Sequence, residues 1–204
     1  MKKEIETIIF DFGEVLAHLN FPHWIEIMQQ INPDIDQSSF DIQHHRLNTL
    51  FSKGLISGDE MVNEYRLFLN SPMMSIQQIK RIHNSLFIDG KMRTVQLLPH
   101  LSQRYKLYGL SNTDPWHVEY LTSLMPGLSE YFVDKIYSYE AKSLKPEIEI
   151  FTYFQKRTGI IFSNTIYFDD YAPNIERGIS LGINSVLVTG EEQLYKYISN
   201  TLLK

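Results

Sequence analysis

The 204-residue sequence contains no cysteine. Disulfide bonds, thiolate metal sites and cysteine nucleophiles are therefore excluded. The same absence is consistent with a reducing compartment. Any nucleophile or metal ligand in this chain has to come from another residue type.

Long apolar runs are also missing. Lys2 and Lys3 resemble the basic start of a signal peptide, but Glu4, Glu6 and Asp11 interrupt the apolar stretch that would have to follow. No apolar run reaches the length that spans a bilayer. We therefore expect a soluble, cytoplasmic protein that does not bind membranes.

A surplus of positive charge is absent as well. The chain has 19 Lys and Arg residues against 24 Asp and Glu residues, and no block of like charges interrupts it. The basic footprint of a nucleic-acid-binding protein is therefore not present. Hydrophobic residues make up 43% of the chain, which is enough to fill the core of one domain with a modest insertion.

Four short apolar runs have the composition of buried strands. They lie at 7–10, 106–110, 165–168 and 185–188. Helical patterns lie between and after them, at about 115–124, 146–158, 173–181 and 191–203. Three of these helical patterns begin with proline, which the first helical turn tolerates well. Strands that alternate with helices in this way predict a parallel sheet covered on both faces.

The stretch 16–87 breaks this alternation and has no strand pattern of comparable strength. One part has apolar residues at the spacing of an amphipathic helix, namely Trp24, Ile27, Met28 and Ile31. Capping-box patterns mark two further helix starts, at Ser57 with Glu60 and at Ser75 with Gln78. We therefore predict an all-helical insertion, 16–87, in an α/β core formed by 1–15 and 88–204.

Polar residues follow three of the predicted strands. These residues are Asp11, Ser111, Asn112, Thr113, Asp169 and Asp170. Lys145, at a predicted helix start, is a further candidate. Open parallel sheets bind their ligands beyond the carboxyl ends of the strands. We therefore expect these residues to converge on one crevice, although they are far apart in the sequence.

Each of these residues also has a purely structural interpretation. An Asp after a strand is often a turn residue, a Ser-Asn-Thr segment often caps a helix, and a single lysine is often solvated. Two adjacent carboxylates, Asp169 and Asp170, are harder to explain in this way because their repulsion favours a nearby cation. The order of all four motifs together favours a functional site.

In this order, the motifs resemble those of the haloacid dehalogenase superfamily of phosphohydrolases. The nearest resemblance is to its sugar-phosphatase branch with a helical cap, which includes bacterial glucose-1-phosphate phosphatases. The matching segments are 8–16, 110–113, 143–147 and 167–170, and the last continues through 174–183. The resemblance spans the whole core and implies a Rossmann-like parallel sheet with an all-helical cap inserted after the first strand.

The resemblance also implies roles at the phosphoryl group. Asp11 is expected to be the nucleophile that forms an aspartyl-phosphate, which water then hydrolyses. Ser111 is expected to donate its hydroxyl, and Asn112 its backbone N–H, to a phosphoryl oxygen. Lys145 is expected to neutralise charge in the transition state.

Magnesium is the implied cofactor, because its preferred ligands are oxygen atoms. By resemblance, Asp11, the backbone carbonyl of Gly13 and Asp170 are the expected ligands. Asp169 is then either a second ligand through water or the partner that orients Lys145.

Gly13 departs from the common family pattern Asp-x-Asp, in which the second Asp protonates the leaving alcohol. A glycine carbonyl still binds metal, but its side chain cannot move a proton. General acid–base catalysis is worth about 10²–10⁴-fold, so we expect slower turnover of poor leaving groups. Glu14 or a histidine of the insertion is a candidate substitute, the latter being His18, His23, His44 or His45.

The sequence therefore predicts a Mg²⁺-dependent phosphatase that acts on a small phosphorylated metabolite, with sugar phosphates as the first choice, and that is a monomer or homodimer. A 2-haloacid dehalogenase uses the same nucleophile without metal, and the acidic pair beside Lys145 argues against it. The missing second Asp argues against a phosphate-transferring mutase. A non-catalytic phosphate- or partner-binding protein would be favoured by loss of Asp11, Lys145 or the acidic pair, and all of these are present.

Overall fold

Five parallel strands form the central sheet of the computed structural model, which describes residues 4–35 and 37–204. In chain order the strands are β1 (Thr7–Phe10), β2 (Ala17–Leu19), β3 (Phe87–Lys91), β4 (Lys106–Ser111), β5 (Asp134–Tyr137), β6 (Thr165–Asp169) and β7 (Asn184–Leu187). The sheet order is β5-β4-β1-β6-β7, so β1 lies at the centre. This confirms the predicted α/β class with a parallel, Rossmann-like sheet.

Ten α-helices accompany the strands within the described residues. They are α1 (Phe21–Ile31), α2 (Gln37–Ser52), α3 (Gly58–Phe68), α4 (Ile76–Asn84), α5 (Leu98–Leu101), α6 (Pro115–Leu124), α7 (Ser138–Ala141), α8 (Ile148–Thr158), α9 (Ala172–Ser180) and α10 (Glu191–Tyr197). In the described parts of the chain, no helix is both long and apolar enough to cross a membrane.

Both faces of the sheet are buried, as the continuous apolar runs predict. Side chains alternate along β1, so Ile8 and Phe10 pack on one face with Leu194 of α10. Ile9 packs on the other face with Phe151 of α8. The central strands β1 and β6 therefore have no solvent-facing side.

The register brings the carboxyl ends of three strands together. Phe10, the last residue of β1, pairs with Gly109 of β4 and with Phe168 of β6. The residues that follow β1, β4 and β6 consequently lie at one edge of the sheet. This edge carries the predicted site.

Three strands were not predicted from the sequence. The edge strand β5 contains Asp134 and Lys135, and it lacks the apolar pattern of a buried strand. The antiparallel pair β2 and β3 connects the inserted helices to the core, and its strands have only three and five residues. The prediction that the insertion contains only helices was wrong at these two connections, because such short strands give no periodic signal.

Most predicted helix bounds were close to the observed ones. Pro115–Leu124 matches α6, while the predicted last helix ends at Tyr197 and continues as a π-helical turn, Ile198–Leu202. The helix predicted from 146 begins at Ile148, because Glu147 is its extended N-cap residue. Lys145 therefore precedes the helix instead of opening it.

The inserted helices α1 to α4 have a hydrophobic cluster of their own. Trp24, Met28, Met61 and Ile79 are buried in it, and Trp116 of α6 joins them from the core. Both capping boxes predicted for α3 and α4 are present. The separate cluster supports the proposed division into a cap, 16–87, and a core, 1–15 and 88–204.

Candidate active site

Lys145 lies at the centre of the predicted crevice. Its Nζ atom is 3.0 Å from Asp11 Oδ1, 2.6 Å from Asp169 Oδ2 and 2.8 Å from the carbonyl oxygen of Leu110. The side chain is buried, so the interpretation as a solvated lysine does not hold. Burial alone would lower the pKa of Lys145, but Asp11 and Asp169 outweigh it and raise that pKa above its usual value.

Asp169 is fully engaged by hydrogen-bond donors. Besides Lys145, it accepts hydrogen bonds from the Tyr167 hydroxyl, the Tyr171 backbone N–H and the Asn174 side-chain amide. Burial would raise the pKa of Asp169, but Lys145 and these bonds hold it below its usual range. Its oxygens are thus occupied in orienting Lys145, which is the second of the two roles considered for Asp169.

Asp11 differs from Asp169 in its surroundings. Its side chain is 13% exposed, and Lys145 is its ion-pair partner. Burial, opposed by Lys145 and reinforced by the negative charge of Asp169, raises the pKa of the Asp11 carboxyl to about 6. A second cation at this position would favour the ionised carboxylate.

The acidic residues fit a hard divalent cation. Carboxylate oxygens of Asp11, Asp169 and Asp170 lie within 4.8 Å of one another. Partial burial and the charge of Asp169 raise the pKa of Asp170, as expected for carboxylates that repel one another. An all-oxygen set of this kind suits Mg²⁺. Since Asp169 is occupied by its donors, Asp11 and Asp170 are the side chains best placed to bind the ion directly.

Asn112 has a structural task that the sequence did not indicate. Its amide oxygen accepts from the Lys145 backbone N–H at 2.8 Å, and its amide nitrogen donates to the Lys145 carbonyl at 2.9 Å. This paired contact ties the segment that carries the lysine to the end of β4. Ser111, the last residue of β4, is buried beside it.

A cavity of about 140 Å³ lies between the inserted helices and the core, next to these residues. Gly13, Ser111 and Asn112 line it from the core. Phe21, Trp24, Asn48, Ser52 and His83 are among the residues that line it from the insertion. The inserted helices that precede β3 therefore form one wall of the cavity, which we call its roof.

Several polar contacts hold this roof to the core. The end of α2 is attached by the Ser138 hydroxyl, 2.6 Å from the Ser52 carbonyl, and by an ion pair of 2.6 Å between Lys53 and Glu147. On the other side, Lys80 of α4 pairs with Glu119 of α6 at 2.6 Å. The insertion is therefore attached to the core on both sides of the cavity.

A buried histidine cluster adds to the contact between α4 and α6. Asp114 Oδ2 is 2.9 Å from His83 Nε2 and 2.8 Å from His117 Nδ1, while Asp114 Oδ1 caps α6. His117 Nε2 faces the His83 carbonyl at 3.2 Å, and His83 Nδ1 is 2.9 Å from the Tyr65 hydroxyl. The sequence did not indicate this cluster, because Asp114 and its partner His83 are 31 positions apart.

The candidate substitutes for the missing carboxylate lie elsewhere or are already engaged. Glu14 Oε1 accepts from the Leu19 backbone N–H at 2.6 Å, and Glu14 itself has a left-handed backbone conformation with φ of 52°. His18 is half-buried in β2, and His23 and His45 are exposed; none of these three lines the cavity. The side chain of His44 lies outside the described residues. Glu14 thus holds the turn after β1 together.

The chain is similar to known proteins in both sequence and fold. No family model matches the chain. A D-ribitol-5-phosphate phosphatase from Bacteroides thetaiotaomicron is 26% identical over 188 residues, which cover 89% of this chain and 90% of that protein.

Solved structures of an enzyme from Bacteroides thetaiotaomicron are also similar to this chain. A haloacid dehalogenase family enzyme is 28% identical with a TM-score of 0.89, and the match covers 97% of this chain and 99% of that one. A wild-type structure that contains magnesium and inorganic phosphate is 28% identical with a TM-score of 0.83, covering 91% and 95% of the two chains. Taken with the parallel sheet and the convergence of its motifs, these likenesses show that the chain belongs to the haloacid dehalogenase superfamily of hydrolases.

Proposed function

We propose that this protein is a Mg²⁺-dependent phosphatase that hydrolyses the phosphate ester of a small sugar or sugar alcohol through an aspartyl-phosphate on Asp11. The observation that carries this proposal is the contact of the buried Lys145 ammonium with both Asp11 and Asp169, beside the exposed Asp170. The Bacteroides relative is a D-ribitol-5-phosphate phosphatase, which supports the same chemistry.

In the proposed reaction, an Asp11 oxygen attacks phosphorus while the bond to the alcohol oxygen breaks. The positive charge of Lys145, 3.0 Å from Asp11, offsets the repulsion between carboxylate and phosphate. The Ser111 hydroxyl and the Asn112 backbone N–H bind phosphoryl oxygens. Water then attacks the aspartyl-phosphate and releases inorganic phosphate.

Asp11, Asp170 and the Gly13 carbonyl would hold the magnesium ion. Mg²⁺ supplies positive charge that neutralises the phosphoryl oxygens and orients the ester. The similar solved structure that contains magnesium and inorganic phosphate supports magnesium as the cation. The Asp169 carboxylate contributes indirectly, because it fixes Lys145 by a contact of 2.6 Å.

The cavity lining supports an uncharged leaving group. Among the described residues that line it, no Lys, Arg, Asp or Glu is present. Aromatic residues such as Phe21 and Phe87 offer faces for C–H groups, while Asn48 and Ser52 offer polar groups for hydroxyls. A polyol has both kinds of surface. A substrate with a second charged group would find no counter-charge in this lining apart from a histidine.

The first experiment measures phosphate release from p-nitrophenyl phosphate with Mg²⁺ and again after EDTA. A panel that includes D-ribitol 5-phosphate and glucose 1-phosphate follows. We expect metal-dependent release and a preference for sugar or sugar-alcohol esters. Halide release from a 2-chloro acid without phosphatase activity would instead identify a dehalogenase, and inactivity in both assays would favour a non-catalytic protein.

Replacement of Asp170 by asparagine should raise the Mg²⁺ concentration required for half-maximal rate by about tenfold or more, because a charged oxygen ligand becomes neutral. The measurement is a Mg²⁺ titration of p-nitrophenyl phosphate turnover. Asp59→Asn, at an exposed carboxylate in the first turn of α3, is the matched control and should leave the titration unchanged. An unchanged titration in Asp170→Asn would reassign the ligand to Asp169.

We also retain two predictions from the sequence, namely that the protein is cytoplasmic and that it is a monomer or a homodimer.

A further inference from the structure

Position 13 leaves the proposed reaction without a proton donor. Glycine has no side chain there, and a Cβ atom added to Gly13 would lie 3.1 Å from Leu19 Cδ1, so the neighbouring space is already filled by an apolar group. A sugar alkoxide is a poor leaving group unless it receives a proton. The proton must therefore come from another side chain or from water.

The cavity wall offers two candidates among the described residues. His83 and His117 are the histidines that line it, and both contact Asp114. The carboxylate of Glu14 is engaged by the Leu19 backbone N–H. The histidines differ in exposure, since the side chain of His117 is 10% exposed and that of His83 only 1%.

Counting hydrogens in the cluster identifies the charged histidine. His117 Nδ1 faces a carboxylate oxygen and His117 Nε2 faces a backbone carbonyl, and both of these groups only accept hydrogen bonds. Both nitrogens of His117 must then carry a hydrogen, which makes the ring an imidazolium. His83 needs only one hydrogen, on Nε2, because the Tyr65 hydroxyl can donate to its Nδ1.

The surroundings of Asp114 and His83 set the charge of these two residues. Burial would raise the pKa of Asp114, but His83 and His117 outweigh it and hold that pKa well below its usual value, so Asp114 stays anionic. Burial and the neighbouring His117 lower the pKa of His83, so His83 stays neutral. The hydrogen count then leaves one ion pair in the cluster, Asp114 with His117.

We propose that His117 is the general acid that replaces the missing carboxylate, giving its Nε2 proton to the departing alcohol oxygen. The proposal rests on the phosphatase function proposed above. The Nε2 contact with the His83 carbonyl is the longest in the cluster, at 3.2 Å, and His117 lines the same cavity as Gly13 and Ser111. In the proposed reaction, the departing oxygen replaces that carbonyl as the acceptor. His83 has no comparable atom, because Asp114 and Tyr65 occupy both of its nitrogens.

The proton transfers balance over the two steps. In the first, the Asp11–phosphorus bond forms, the phosphorus–ester oxygen bond breaks, and the Nε2 proton of His117 moves to that oxygen to give the free alcohol. His117 is then neutral and keeps its Nδ1–H on Asp114. In the second step, Nε2 takes a proton from the attacking water, the aspartyl-phosphate bond breaks, and inorganic phosphate leaves.

The same three residues can also be considered as a metal site, since their ligand atoms lie within 4.8 Å of one another. Their spacing argues for protons instead. Tetrahedral zinc with bonds of about 2.0–2.1 Å separates its ligand atoms by roughly 3.3 Å. The nitrogens here lie 2.8 and 2.9 Å from Asp114 Oδ2, which are hydrogen-bond distances.

The test compares two esters in His117→Gln. p-Nitrophenolate leaves without a proton, whereas the ribitol alkoxide needs one. We expect kcat/KM for D-ribitol 5-phosphate to fall by about 10²–10⁴-fold, with a change of less than about tenfold for p-nitrophenyl phosphate. A merely structural role would lower both values together, so an equal loss, or no loss, overturns the proposal.

Two other variants serve as controls. Tyr65→Phe removes a hydrogen bond from the same buried cluster without touching the His117 proton, and it should leave both esters at the wild-type level. Glu14→Gln should also be silent. A selective loss on D-ribitol 5-phosphate in Glu14→Gln would assign the proton to Glu14 and overturn the proposal, as would one bound zinc ion per chain in the purified wild-type protein.

A measurement on the wild-type protein covers the case in which His117→Gln does not fold. A series of phosphate esters with leaving groups of different pKa should give kcat/KM values that depend only weakly on that pKa, because the acid offsets the charge on the departing oxygen. A steep dependence overturns the proposal. Failure of the phosphatase function is distinct from this result, because the wild-type protein would then release no phosphate from any ester.

Discussion

Asp11→Asn is expected to lower the turnover of p-nitrophenyl phosphate by on the order of 10⁴-fold or more, because an amide cannot replace the carboxylate nucleophile. The change preserves side-chain volume, and Lys145 keeps its contacts with Asp169 and the Leu110 carbonyl. Initial rates with saturating Mg²⁺ measure the effect. Wild-type turnover in this variant would exclude the aspartyl-phosphate mechanism.

The same substitution should make the metal-free protein more stable at neutral pH. The pKa of Asp11 is raised from its ordinary value of 3.8 to about 6, so the folded state binds this proton more tightly than the unfolded state does. The corresponding stability is present below pH 3.8 and is lost as pH rises towards 6. Asparagine is neutral at every pH, so the variant does not lose this stability as pH rises. At pH 7 its free energy of unfolding should exceed that of the wild-type protein by up to about 3 kcal/mol. Thermal unfolding in EDTA at pH 5 and pH 7 measures this difference, with Asp59→Asn as the control.

Lys145→Met should have the second-largest effect, lowering turnover by about 10²–10³-fold, because the positive charge that faces the phosphoryl group is lost. The structure adds a cost in stability. Asp11 and Asp169 would remain close together without their shared partner, and breaking a buried ion pair typically costs about 3–5 kcal/mol. We therefore expect a lower melting temperature at pH 7 as well as slower catalysis.

Lys156→Met is the control for this variant, because Lys156 is exposed in the last turn of α8. Circular dichroism at the assay temperature shows whether Lys145→Met is folded when its rate is measured. A folded variant with wild-type kinetics would contradict the role of Lys145 and weaken the proposed function.

The part of the site formed by the strand ends, which we call its floor, was predictable because each strand has a local sequence pattern. Asp11, Ser111 and Asp169 each end a short apolar run, and the carboxyl ends of parallel strands meet at one edge. The prediction required only that the strands be recognised and that they be parallel. Their order in the sheet was not needed.

The contacts around that floor were not predictable from a single sequence. Asn112 forms hydrogen bonds with the backbone of Lys145, which is 33 positions away in the sequence. The ring of His117 forms a hydrogen bond with the carbonyl of His83, which is 34 positions away. Nothing in the local pattern of either segment indicates its partner. Such pairings depend on how the inserted helices pack on the core, and amphipathic spacing predicts only that a helix has an apolar face.

The two sides of the cavity roof differ in how they respond to ionic strength. At the α4 side, salt also weakens the pair of Lys80 and Glu119, whose side chains are 31% and 69% exposed. The contact between Asp114 and His83 on that side is fully buried, however, and salt has little access to it. At the α2 side, Lys53 and Glu147 are 21% and 41% exposed, and such pairs are worth about 0–1 kcal/mol and weaken as salt screens them. Added KCl should therefore loosen the end of α2 before it loosens α4. Amide hydrogen exchange is expected to quicken at residues 52–54 in 1 M KCl while residues 79–83 stay protected. A substrate would then enter from the α2 side, while α4 remains the fixed side of the roof.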